Sequence, residues 1–135
     1  MIGRLLFNAC LFAVLLGSIG AFLYSKREDL EVVDVVVVVG LGSAWAGALV
    51  ALVETRIYPI VSVARRTGLA ALCGSLAYLG LFSGVSFLAG FEARPGFLAL
   101  GVALGAASHG LRAMLYSQRG VDGDDDIVDD DEHRS

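Results

Sequence analysis

The stretch EVVDVVVVVG, residues 31–40, decides how this chain is read, because seven of its ten residues are valine. In water such a β-branched run is a strand candidate. It does not end at Gly40, however. It continues through LGSAWAGALVALV, so that residues 35–53 carry no charge. Lipid requires every backbone N–H and C=O to be paired within the protein, which a helix achieves and an isolated strand does not. The run is therefore expected to be a transmembrane helix from about residue 33, with Asp34 at its entry. Its valines then divide between lipid and helix packing.

Three further stretches meet the requirement of roughly 20 mostly apolar residues for a span. Residues 5–24 and 67–91 are free of charge, and residues 95–111 are free of charge up to Arg112. Arg112 is near enough to the end of its span to snorkel to the interface. Pro95 suits a first helical turn. The reading is all-α: a four-transmembrane-helix antiparallel bundle with spans at about 4–25, 33–54, 67–91 and 95–117. The membrane domain is 1–117, followed by a disordered acidic tail, 118–135. The first apolar run is longer than a signal-peptide core and lacks a clear cleavage site, so it is read as an uncleaved span.

Composition agrees. The 135 residues are 56% hydrophobic and 18% charged, with a mean hydropathy of +0.73. The net charge of −4 hides an asymmetry: residues 1–120 carry +3 and residues 121–135 carry −7. Cys10 and Cys73 lie in apolar runs without metal or redox spacing and read as small buried hydrophobes.

With four spans, the N-terminus, the second connection and the C-terminus share one side. That side holds Arg4, Arg56, Arg65, Arg66, Arg112, Arg119 and Arg134, against Lys26, Arg27 and Arg94 on the other. The positive-inside rule then puts both termini in the cytoplasm, or in the interior of a vesicle budded from the cell. SKREDLE joins the first two spans and EARP the last two. The longer middle connection, ETRIYPIVSVARRTG, contains Pro59 and reads as a loop or an interfacial segment. Tyr24, Tyr58 and Tyr116 fall near span ends, as interfacial anchors do. Trp45 falls mid-span and reads as core packing or lipid contact.

Helices in lipid associate through small residues that let backbones approach. Each span offers such a row: Ala13, Gly17 and Ala21 in the first; Gly40, Ala44 and Ala48 in the second, with a parallel row Ser43, Gly47 and Ala51. The third has Gly80 and Gly84, then Ser86 and Gly90. The fourth has Gly101 and Gly105. These are the expected helix-packing residues, and whether some serve a second copy is left open by the sequence.

Chemistry is sparse. Ionisable residues inside a span are the default mark of transport, and the inner parts of the first three spans have none. Asn8 lies about a turn into the first span. His109, Arg112 and Tyr116 fall on one face of the fourth and form the candidate polar site, a proton or anion contact set against a plain interfacial helix end. Small multidrug exporters, four-span proteins of this size, carry a glutamate in the first span that this chain lacks. Fluoride channels match in size, but their motifs stand in a different order. GLGSAWAG, residues 40–47, lacks the spacing and lysine of a phosphate loop. The tail VDGDDDIVDDDEHRS half fits a calcium loop, but Ile127 replaces the required glycine and His133 the bidentate glutamate. No enzyme activity, cofactor, metal site or specific nucleic-acid binding is expected.

One lysine against nine arginines, together with the aspartate-rich tail, resembles haloarchaeal usage. The whole layout, with LLFNACLFAVLLGSIGAFLY (residues 5–24), GFLALGVALGAASHGL (residues 96–111), the arginine-edged ARRTG (residues 64–68) and the short acidic tail, resembles the internal membrane protein of haloarchaeal pleomorphic viruses, the pleolipovirus family. The resemblance implies a structural virion membrane component that faces the particle interior, beside a spike protein and without catalysis. It carries over no site residues. The alternative is a pore, a holin-like protein or a small transporter subunit. The partners expected are the lipid bilayer, a second copy, or another membrane protein such as a spike.

Overall fold

The computed structural model describes residues 2–92 and 94–121. Four α-helices make up the fold, α1 (Ile2–Tyr24), α2 (Val32–Leu52), α3 (Val63–Ala89) and α4 (Pro95–Val121), with a π-helical turn at Val53–Ile57 continuing α2. No strand occurs among the described residues. All four helices are long and apolar enough to cross a membrane, the second counted through its π turn as Val32–Ile57. The shortest of these, 22 residues, rises about 33 Å at 1.5 Å per residue, enough for a hydrocarbon core of about 30 Å.

The valine run is helical from Val32. Glu31 and Asp34 close a capping box on its first turn, with the Glu31 N–H donating to Asp34 Oδ2 at 3.4 Å. The carboxylates also complement the positive end of the helix dipole. Val33, Val36 and Val37 face outward, while Val35, Val38 and Val39 are half-buried against neighbouring helices.

Boundaries differ from the sequence reading at two places. The middle connection is mostly helix: α2 runs on through the π turn, where the Tyr58 N–H reaches Val53 O at 2.9 Å. The break is confined to residues 58–62 around Pro59. α3 then starts at Val63 rather than 67, taking Arg65 and Arg66 into its first turn, because charged residues are tolerated where a span leaves the membrane. At the other end α4 continues to Val121, beyond the expected 117. Residues 122–135, which hold most of the expected disordered tail, lie outside the described residues.

Each helix packs on its sequence neighbour, and α1 also touches α3. α4 lies along α3 and meets the π turn that continues α2 through side chains such as Arg112 on Glu54. The α3–α4 contact is closest where Gly74 and Gly105 meet backbone to backbone, each occupying the space a Cβ on the other would need. Ser75 Oγ–H donates to Val102 O at 3.2 Å across the same contact. Toward the 90–94 turn the pair is filled by rings, with Phe82 and Phe97 4.8 Å apart and Phe91 and Phe97 5.5 Å apart. Between α1 and α2, a Cβ on Gly47 would stand 2.8 Å from the Ala9 nitrogen.

The expected packing rows are sorted by this arrangement. Gly101 is buried against the Phe82 ring, and Gly84 faces Val38. Gly80 carries the Trp45 indole, which donates from Nε1 to Leu76 O at 3.0 Å. The row Gly40, Ala44 and Ala48, expected to pack, faces outward. α2 has small residues on two adjacent faces, and α1 and α3 cover the other one, where Ser43, Gly47 and Ala51 are buried. In α1 the buried positions are Asn8, Leu16 and Gly20. Ala13 and Gly17 lie at the edge of that contact and Ala21 is exposed. Cys10, read as buried, is exposed on α1.

Because Trp45 is the chain's one tryptophan, its emission reports the Gly80 contact alone. A Cβ at Gly80 would stand 2.6 Å from the indole Cδ1. Gly80→Val is expected to push the ring off α3 into lipid at a cost of about 1 kcal/mol for the lost hydrogen bond. Quenching by brominated lipids should rise accordingly, and unchanged quenching would contradict this placement.

At the end opposite both Arg4 and Arg112, Arg27 ties the first connection to α3. Its Nη1 donates to Leu88 O at 2.8 Å, and it grips Asp29 through Nε and Nη2. This hydrogen-bonding raises the Arg27 pKa and lowers that of Asp29. The cation thus sits on the last carbonyls of α3, where the helix dipole favours it. Gly90 ends the helix at φ +69°, a left-handed conformation that suits glycine.

Candidate polar site at the Glu54 end

Polar side chains from three helices converge where α1 begins, α2 ends and α4 approaches its own end. Glu54 is the centre. It stands in the π turn, and the extra residue of such a turn rotates the chain beyond it relative to a continuous α-helix. Its Oε2 accepts from Asn8 Nδ2 at 3.3 Å, its Oε1 faces Arg112 Nη2 at 3.5 Å, and its main-chain oxygen accepts from Arg4 Nη1 at 3.4 Å. The Glu54 side chain is 16% exposed and that of Arg112 is 62% exposed. The knot is therefore dry on the Asn8 side, where Asn8 is buried, and wet on the arginine side.

Beside it lies a second group. Tyr58 and Tyr116 stack with ring centroids 5.0 Å apart. The Arg66 guanidinium lies over the Tyr116 ring at 5.8 Å, within cation–π range. Arg66 is buried and donates from Nη1 to Tyr58 O at 3.1 Å. This bond ties the start of α3 to the end of the π turn. Val53, Ile57, Ala70 and Ala113 form the apolar floor. Burial pushes the Tyr58 phenol up, while the Arg112 charge opposes that shift, so at neutral pH the phenol keeps its proton and remains a donor. Its hydroxyl is buried and without a hydrogen-bond partner among the described residues.

Arg4, Glu54, Tyr58, Arg112, Leu115 and Tyr116 line an open pocket of about 520 Å³. Of the candidate trio, Arg112 and Tyr116 line it and His109 does not. His109 is buried on the α3 side, edge-on to Tyr78 at 6.2 Å between ring centroids. Its Nδ1 finds no partner among the described residues.

Glu54 and Arg4 were not among the expected site residues. Glu54 reads as the first residue of a loop, because Pro59 follows and the apolar run stops at Val53. The available signal was topological: four spans put Arg4, Asn8, Glu54 and Arg112 at the same membrane face, and a lone carboxylate among arginines there has partners on every side. No known protein family, characterised protein or solved structure matches the chain.

Proposed function

We propose that this integral membrane protein is a structural component of its membrane, a helix assembly that organises lipid and neighbouring membrane proteins without moving a solute. One observation carries the reading: among the described residues the charged side chains stand at the two ends of the helices and none in their middle. Beyond His109, the hydroxyls of Ser18, Ser43, Ser83 and Ser86 donate to carbonyls four residues back in their own helices, and Ser75 is taken up by α4. Such back-bonding leaves these hydroxyls no free donor to line a passage. The middle of α3–α4 is closed by glycine backbones instead.

The resemblance to the internal membrane protein of pleolipoviruses supports a finer assignment: a virion membrane component with both termini inside the particle. The excess of arginine on the terminal side agrees with that orientation. Purified particles or vesicles are expected to contain the chain in high copy, with its acidic tail protected from added protease until detergent is supplied. A trace component with an accessible tail would overturn the assignment. In reconstituted liposomes the chain is expected to pass no ions. Flux that His109→Ala or Arg112→Ala abolishes would establish a pore or transporter subunit instead.

A further inference from the structure

The pocket at the Glu54 end carries more positive charge than it neutralises. Arg4 donates to a carbonyl oxygen, not to a carboxylate. Arg112 meets Glu54 through one nitrogen at 3.5 Å and is otherwise largely exposed, so most of its donors are unspent. Glu54 divides its two oxygens between Arg112 and Asn8. The three charged lining groups, Arg4, Glu54 and Arg112, therefore sum to +1. Arg56 and Arg65 stand exposed at the same end, and Glu54 is the one acid between residues 35 and 91.

The lining also holds two tyrosine rings. The Tyr58 hydroxyl is buried without a partner among the described residues, and Tyr116 stacks beside it. A volume of about 520 Å³ exceeds many times the roughly 30 Å³ of a water molecule. The position is the headgroup level, where the span ends bring arginines and tyrosines together. Leu115 supplies an apolar wall on the α4 side. Guanidinium forks match phosphate oxygens and shed water more readily than an ammonium. Basic pockets between transmembrane helices suit anionic headgroups on these grounds.

We propose that this pocket binds a phosphate oxyanion presented by an anionic phospholipid headgroup, with Arg4 and Arg112 as its two arms. Glu54 is a positioning residue. Its carboxylate holds Arg112 and its carbonyl holds Arg4, so that both guanidiniums flank one opening. The site needs the chain to lie in a bilayer; it does not depend on the structural role or on the viral assignment.

The test uses the full chain, purified in detergent or in phosphatidylcholine nanodiscs, with native mass spectrometry counting retained lipids. Phosphatidylglycerol is expected to be retained about tenfold over phosphatidylcholine, the scale of one charge-assisted hydrogen bond. Arg4→Gln and Arg112→Gln should each remove most of that preference, and Arg4→Lys should keep part of it. Arg94→Gln, at the other membrane face, should leave it intact. Arg4→Gln guards against misfolding, since Arg4 is exposed and bonds only a carbonyl, and helical content by circular dichroism should match the parent. Inorganic phosphate separates the two sources of the oxyanion. Lipid retention undisturbed by millimolar phosphate supports the lipid, whereas phosphate that binds with the same arginine dependence and expels phosphatidylglycerol overturns the lipid source. Equal retention of both lipids, or an unchanged preference in both glutamine variants, overturns the site.

Discussion

Gly105→Ala, which adds a single methyl group, is expected to loosen α4 from α3 by about 1–3 kcal/mol, the usual cost of overpacking a tight contact, and Gly105→Leu to separate the pair. The new Cβ would collide with the Gly74 carbonyl and stand 2.9 Å from the Ser75 nitrogen. These are main-chain atoms inside a helix and have no rotamer to move to. The reverse change, Gly74→Ala, meets the Gly105 carbonyl and lies 2.7 Å from His109 Cδ2, so it should cost a similar amount. The double variant should cost less than the two singles summed, because both insert a methyl into one contact. Gly40→Ala serves as the control. Nothing lies within 4 Å of a Cβ there, and alanine is the better helix former by about 1 kcal/mol. Thermal or steric-trap unfolding in micelles measures all five. A Gly105→Ala protein as stable as Gly40→Ala would contradict the close crossing.

Glu54→Ala is the second large expected loss, about 2 kcal/mol, the worth of a hydrogen bond to a charged group. It strands the buried Asn8 amide and frees Arg112, while Arg4 keeps its bond to the main-chain oxygen of residue 54. Arg112 contributes the smaller share, since its side chain is 62% exposed and solvent screens an exposed pair to at most about 1 kcal/mol. Glu54→Gln separates the two contributions. It keeps an oxygen for Asn8 and loses the ion pair, so its cost should be about 1 kcal/mol or less and should shrink in molar salt, where the Debye length is about 3 Å. The cost of Glu54→Ala should persist there. If the two variants were equally destabilising, the ion pair and not Asn8 would hold the knot.

The elements were more legible in the sequence than their contacts. Four charge-free runs identify four helices, because lipid leaves the backbone no other way to pair its groups. The valine run shows how decisive the solvent is: its local preference is strand, and it folds as α2. Small-residue spacing is a weaker guide, since it marks where helices are able to approach but not which face is taken. It identified Gly105 but not its partner Gly74, whose neighbours four residues away, Ala70 and Tyr78, form no glycine repeat. It gave Gly40, Ala44 and Ala48 the same weight as Ser43, Gly47 and Ala51, and only the second row is covered within the chain. The polar site was half legible. Arg112 and Tyr116 stand at the correct end by helical spacing, while Glu54 depends on a π turn that hydropathy does not register.

The order in which the helices touch has a consequence for how the chain assembles. Because α1 packs on α2, α2 on α3 and α3 on α4, nearly every contact joins segments adjacent in the sequence. A topology of such low contact order pays little loop-closure entropy at each step. As the ribosome delivers the chain N-terminus first, the α1–α2 hairpin already holds its own partner surface when α3 appears, and α3 need not wait for any later segment before docking. The contacts between the first half and the last helix gather at the Glu54 end, in the Glu54–Arg112 bridge, the Tyr58–Tyr116 stack and the packing of Ala113 on Val53 and Ile57. They form when synthesis is nearly finished, so the polar pocket is the last part of the molecule to exist.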